Sequence, residues 1–431
     1  MKIVFMGTPD FAIPSLTVLI RSGHTLCGVV TQPDRLRGRG KKLTPPPVKT
    51  LAVEHGIPVL QPEKVRDEAC VRWLKDRAPD LIAVAAFGQI LPPAVLGIPA
   101  RGCVNLHASL LPRYRGASPI NRAIINGDET TGITTMLMNE GMDTGDILLQ
   151  KEVPIAADDD AISLSKRLSD AGALLLLDTL NRMERNQLSP QPQNGSLATY
   201  APPLKKDDGL IDWSVSARDI HNLVRGTVPW PGAFTHLAGK RLKILKSVIV
   251  EESDQLPPGT VVRTGPEGIQ AAAGSGCLVL TEVQLENRSA MKAGEFVRGH
   301  PLPAGTRAAW VKARPLETER RGAGRLAPLP PPAILGGPGL VGLPPRTAEP
   351  IGSIYASDHP FPSSVAGTVS TARVGGRNAA FFSIHPVQYL PLQDALLIHT
   401  RIEIEIGLEP EKRLKLPLPE AAAGPAREAA P

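Results

Sequence analysis

The chain has 431 residues, 42% of them hydrophobic and 21% charged, with a net charge of +6. That length exceeds one ordinary domain, and the balance excludes both wholesale disorder and a bundle of membrane spans. The four cysteines (Cys27, Cys70, Cys103, Cys277) form no C-x-x-C pair, which argues against a disulfide scaffold or a metal site and for a reducing compartment. Gly7-Thr8-Pro9-Asp10 breaks the apolar N-terminus, so no signal-peptide core forms, and no run of about 18 apolar residues exists. The expected location is the cytoplasm.

In chain order, Ile3 to Met6 reads as a buried strand, Phe11 to Ser22 as a helix and Leu26 to Thr31 as a second strand. Leu81 to Ala86, Gly102 to Leu106 and Gly132 to Met138 add three more strands. Asp160 caps a helix predicted to run to Arg185. Strands alternating with helices predict an α/β first domain over 1–188, with a mostly parallel sheet covered on both faces. A polar, proline-bearing linker is expected over 189–204. The segment 205–308 then carries one predicted helix (Ser216 to Arg225) and short strand-like runs whose spacing suggests a small β-barrel. Leu326 to Pro345 holds seven prolines and four glycines, so 309–350 reads as a second linker. Alternating runs at Ala380 to Ile384 and Leu396 to Ile406 suggest a small β module within 351–408, and 409–431 reads as a disordered tail.

Open parallel sheets bind ligands beyond the C-terminal ends of their strands. After the first strand, Gly7-Thr8-Pro9-Asp10 lacks a G-x-G-x-x-G fingerprint, which argues against a dinucleotide. After the fourth strand, Asn105 and His107 stand two apart, so an extended backbone would point both side chains the same way. An amide beside an imidazole can hold a developing oxyanion. After the fifth strand, two glycines bracket Asp143, which places a carboxylate within expected reach of His107. Arg35, Arg37, Arg39, Lys41, Lys42 and Lys49 form a basic run, and Lys240, Arg241, Lys243 and Lys246 a second. Both suit a phosphate backbone. Trp213 and Trp230 read as core anchors, and Cys103 as packing.

N-L-H-A-S-L-L-P-R-Y-R-G from Asn105 and G-M-D-T-G-D from Gly141 together resemble the 10-formyltetrahydrofolate-dependent formyltransferases. M-K-I-V-F-M-G-T-P-D-F-A and T-Q-P-D-R-L-R-G-R-G-K-K-L-T-P-P-P-V-K narrow the resemblance to the methionyl-tRNA formyltransferase family. T-Y-A-P-P-L-K-K-D-D-G-L-I-D-W, P-W-P-G-A and F-V-R-G-H extend it to about residue 308. The resemblance implies a Rossmann-like formyltransferase domain followed by an OB-like tRNA-binding domain. It implies transfer of a formyl group from 10-formyltetrahydrofolate to methionyl initiator tRNA, with Asn105, His107 and Asp143 catalytic and no metal. It also implies a folate pocket lined by Phe87, Gly88, Gln89, Ile90 and Leu91 and by Ser109, Leu110, Leu111 and Pro112. Arg39 is expected at the tRNA acceptor end, with Lys41, Lys42, Lys240, Arg241 and Lys243 as further tRNA contacts, and the protein as a monomer. Other folate-using transferases or hydrolases, and a catalytically dead RNA-binding protein, are the alternatives. The first lacks its glycine-rich phosphate loop, the hydrolase leaves the basic run unexplained, and the intact Asn105, His107 and Asp143 argue against the last. In the tail, I-H-P-V-Q-Y-L-P and T-R-I-E-I-E-I resemble the β-rich propeptide of gingipain-type cysteine peptidases, without a peptidase domain.

Overall fold

The computed structural model describes residues 1–37, 40, 42–237, 239–250 and 256–308, and, as strand backbone alone, 310–322, 370–374, 377–381, 387–390 and 395–407. In the first domain the elements are β1 (Lys2–Gly7), α1 (Ile13–Ile20), β2 (Thr25–Val30), β3 (Arg35–Arg37), β4 (Lys42–Thr44), α2 (Pro47–Glu54), β5 (Val59–Leu60) and α3 (Glu68–Arg77). They continue through β6 (Leu81–Ala85), α4 (Pro93–Leu96), β7 (Cys103–His107), α5 (Pro119–Ile125), β8 (Thr130–Leu137), β9 (Ile147–Pro154) and α6 (Ala161–Glu184).

The main sheet has the order β5-β2-β1-β6-β7-β8-β9. Strands β5 to β7 in that order run parallel, and β8 and β9 turn back antiparallel. This is the expected Rossmann-like arrangement. Period-2 alternation in β1 sends Ile3 and Phe5 to the face covered by α1 and α6, and Val4 and Met6 to the face covered by α3 and α4. Helix α6 starts where Asp160 accepts from the Ile162 and Ser163 amides at 2.9 and 2.8 Å, while the Ser163 hydroxyl accepts from the Asp160 amide. Those contacts satisfy donors that a helix start otherwise leaves orphaned. Its leucines 164, 168, 176 and 180 then fill the core.

The second domain holds α7 (Ala217–Gly226), β10 (Ala233–Leu237), β11 (Lys240–Val250), β12 (Val261–Gly265), β13 (Gly268–Ala272), β14 (Cys277–Leu285), β15 (Met291–Lys292) and α8 (Ala293–Gly299). The antiparallel order is β10-β11-β14-β13-β12, with β15 on β14. Trp213 is buried there and its indole N–H donates to Thr235 Oγ1 at 3.0 Å. Trp230 departs from expectation: it lies in a proline-flanked turn and is 55% exposed, so it anchors no core. The domains meet where Asn121 Nδ2 donates to the Gly226 carbonyl, Arg225 Nη1 to the Asp159 carbonyl, and Arg122 pairs with Asp208.

In the tail, β16 (Trp310–Gly322) pairs with β20 (Ala395–Gly407), β17 (Ser370–Val374) with β18 (Arg377–Phe381), and β19 (Val387–Leu390) with β20. The expected linker over 309–350 is therefore corrected at its start, where 310–322 is strand. The alternation of Leu396 to Ile406 marks β20, which pairs with β19. The expectation for 409–431 lies outside the described residues. Among the described residues no helix is long and apolar enough to cross a membrane.

Candidate active site

Strand β7 alternates as expected. Val104 and Leu106 enter the core under α6, and Cys103 enters the opposite one. Asn105 and His107 share the Cys103 parity. They open onto a cavity of about 500 Å³ at the C-terminal ends of β6 and β7. Both residues belong to the strand itself rather than to the loop after it. Cys103 is buried and its thiol is pushed up to about 12 by that burial, which fits packing and not nucleophilic chemistry.

The Asp143 loop closes the far wall. Asp143 has φ of 55°, the left-handed region, and its Oδ2 lies 3.6 Å from His107 Nδ1. That separation is ion-pair reach but too long for a direct hydrogen bond. The same oxygen accepts the Gly116 amide at 2.8 Å. On the other side of the ring, His107 Nε2 lies 2.9 Å from the Tyr114 carbonyl. A carbonyl only accepts, so Nε2 carries a hydrogen and the reactive edge of the ring is Nδ1. A hydrogen on Nδ1 as well makes an imidazolium facing a carboxylate. Asn105 has no side-chain hydrogen bond among the described residues, and its amide lines the cavity.

The expected ligand-lining residues divide in two. Phe87, Gly88, Gln89, Ile90 and Leu91 all line the cavity. The Phe87 carbonyl accepts from Thr8 Oγ1 at 2.9 Å, which ties this segment to the loop after β1. Gln89 turns its side chain to Val65 and Glu63, whereas Ile90 stands 81% exposed on the rim. Ser109, Leu110, Leu111 and Pro112 do not line it. Ser109 is fully buried and donates to the Arg113 carbonyl, the Leu111 amide donates to Thr134 Oγ1, and Leu110 packs at Gly132. They pack instead against β8 and β9. Sequence reasoning missed Phe11, Ile120, Met136 and Met138 on the walls, because apolar residues at these positions read as ordinary core.

Of the basic residues, Arg39 and Lys41 lie outside the described residues. Lys42 and Lys240 are exposed on β4 and β11. Arg241 lies over the Phe234 ring at 5.4 Å and 3.9 Å from Glu286. Lys243 is half-buried and donates to the Pro231 carbonyl, and burial, then Arg241, lowers its pKa.

A formyl transferase family model matches residues 1–180, and a formyl transferase C-terminal domain model matches 203–301. The methionyl-tRNA formyltransferase of Citrifermentans bemidjiense is 52% identical over 305 residues, covering 71% of this chain and 95% of that protein. That of Geobacter metallireducens is 53% identical over 307 residues, covering 71% and 98%. The chain belongs to the methionyl-tRNA formyltransferase family. Among solved structures, WlaRD, a sugar 3N-formyl transferase crystallised in the presence of dTDP and 5-N-formyl-THF, superposes with a TM-score of 0.51 at 18% identity, covering 67% of this chain and 99% of that one. At that identity the likeness speaks for a shared fold. In this formyltransferase family member, both matched regions end before β16, so the tail strands lie beyond them.

Proposed function

We propose that the protein transfers the formyl group of 10-formyltetrahydrofolate to the α-amino group of methionyl initiator tRNA, in the cytoplasm and as a monomer. The observation that carries the reading is the convergence of Asn105, His107 and Asp143 on one cavity at the strand ends, in a chain about half identical to enzymes of that name. The cavity suits a folate: its walls are largely apolar, from Phe87 and Leu91 to Ile120 and Met136, with few polar groups that could orient a ring.

The residues divide the chemistry as follows. The amine lone pair forms a bond to the formyl carbon, and the carbonyl π pair moves onto oxygen. Asn105 donates an amide N–H to that oxyanion, and His107 donates through Nδ1 when the ring is charged. Asp143 holds the imidazolium and receives or relays the proton that the attacking nitrogen loses. Collapse of the oxyanion breaks the bond to the folate nitrogen, which takes up a proton. Lys42 and Lys240, exposed on β4 and β11, are available to meet tRNA phosphates, together with Arg39 and Lys41 of the basic loop. The test is formyl transfer by the purified protein, with charged initiator tRNA, charged elongator tRNA and water as competing acceptors. Transfer to the initiator above the other two is expected. Formate release without formyl-methionyl-tRNA would overturn the reading in favour of a hydrolase.

A further inference from the structure

The segment between the domains is bonded along its length to the site. Gln191 and Ile147 exchange both backbone hydrogen bonds at 2.9 and 2.8 Å. Further on, the Arg115 amide donates to the Thr199 carbonyl, the Ala201 amide to the Arg115 carbonyl, and the Tyr114 amide to Thr199 Oγ1. The strap thus grips both chain segments that touch the catalytic pair: residues 114–116, whose backbone holds His107 and Asp143, and the loop carrying Asp143.

Gln193 is the side chain between those two grips. Its Oε1 accepts from Arg115 Nε and Nη2 at 3.1 and 2.7 Å. Its Nε2 donates to the carbonyls of Asp143 and Gly145 at 2.8 and 2.7 Å. One amide therefore uses both hydrogens and both lone pairs, against the guanidinium of an arginine that is only 6% exposed. The backbone it holds is one that needs holding, because Asp143 sits at positive φ, a conformation unfavourable for a residue with a side chain.

We propose that Gln193 is a positioning residue for formyl transfer: it fixes the Asp143 loop against Arg115, so that the carboxylate stays between the Gly116 amide and His107 Nδ1. The proposal rests on the reading of Asp143 as catalytic. Misplacing a reacting group by about 1 Å can cost on the order of 10²-fold in rate.

The experiment uses the full chain, with Gln193→Leu and Gln193→Glu each in wild-type and Asp143→Asn backgrounds. Gln193→Glu keeps the partner of Arg115 but sets an acceptor against two carbonyls, so it tests the Asp143 half alone and anchors the strap if the leucine variant unfolds. Both variants are expected to lower kcat by about 10- to 100-fold with each KM within about twofold. In the Asp143→Asn background the same substitutions are expected to cost less than about twofold, since the group they position is already gone. Wild-type kcat in both variants, or an equal loss in the two backgrounds, would overturn the proposal while leaving the functional reading intact. Near-wild-type activity in Asp143→Asn itself would instead overturn the reading of the site, and the proposal with it.

Discussion

Tyr114 contributes to the site through its carbonyl alone, yet that carbonyl decides which nitrogen of His107 faces the substrate. Substituting Tyr114 therefore leaves the imidazole tautomer in place, while His107→Ala, Asn105→Ala and Asp143→Ala each remove a group that meets the reacting atoms. Each is expected to lower kcat by about two orders of magnitude or more, with thermal unfolding little changed. Single-turnover formylation measures this, and near-wild-type turnover in His107→Ala would dismiss the mechanism. Gly145 makes a second case. A Cβ there would collide with the Leu137 carbonyl oxygen, so Gly145→Ala must push the Asp143 loop off β8. The expected result is a loss of about 1–3 kcal/mol in denaturant unfolding together with a fall in kcat. At this scale the sequence exposes side chains and hides backbone. Asn105 and His107 are legible because alternation in a strand sets their direction. The Tyr114 carbonyl and the Gly116 amide are not legible, since every residue carries such groups. Gln193 lies 50 residues from Asp143, and no local pattern joins them.

Among the elements, the strands that run through the core announce themselves as apolar runs. β9 does not, because its middle residues Lys151 and Glu152 are exposed and the strand closes the sheet on one edge. β5 has only two residues, too few to make a pattern. Helix α7, predicted over Ser216 to Arg225, forms with Ser216 as its cap, whose hydroxyl accepts the Asp219 amide. Its inner face carries an unexpected group, His221, with Nδ1 3.0 Å from Ser247 Oγ on β11. Burial first, then Arg225 and Arg218, lowers this histidine from 6.5 to about 4. Between those two values the unfolded chain binds the proton and the folded one does not. Stability is therefore held above about pH 6.5 and declines as pH falls toward about 4. His221→Gln is expected to flatten the thermal-unfolding profile across that window, and an unchanged slope would assign the acid sensitivity elsewhere.

For the whole molecule, the last anchor of the second domain is Ala308, whose amide donates to the Gly259 carbonyl, after the Val261 amide has bonded the Thr306 carbonyl. Among the described residues, the strands β16 to β20 pair only among themselves. Ending the chain after Ala308 is accordingly expected to leave formylation and the unfolding temperature unchanged, whereas ending it before Thr306 strips a partner from β12 and should destabilise the second domain. Loss of formylation in the longer of these two chains, with unfolding unchanged, would give the tail a part in the reaction. The succession of two domains could be read from strand spacing and motif. What could not be read is that the segment joining them is built into the first.

That strap bears on where the protein can be divided. A gene fragment ending at residue 188, the boundary suggested by the end of α6, encodes every strand of the first sheet and all three of Asn105, His107 and Asp143. It omits Gln191, which pairs with the start of β9, and Gln193, Thr199 and Ala201, which bind that sheet's loops. Such a fragment should fold as a recognisable domain with an unbraced site, and a peptide spanning 189–204 added in trans is the natural complement. The folding unit and the working unit of the first domain are thus expected to end at different residues, the working unit at Ala201.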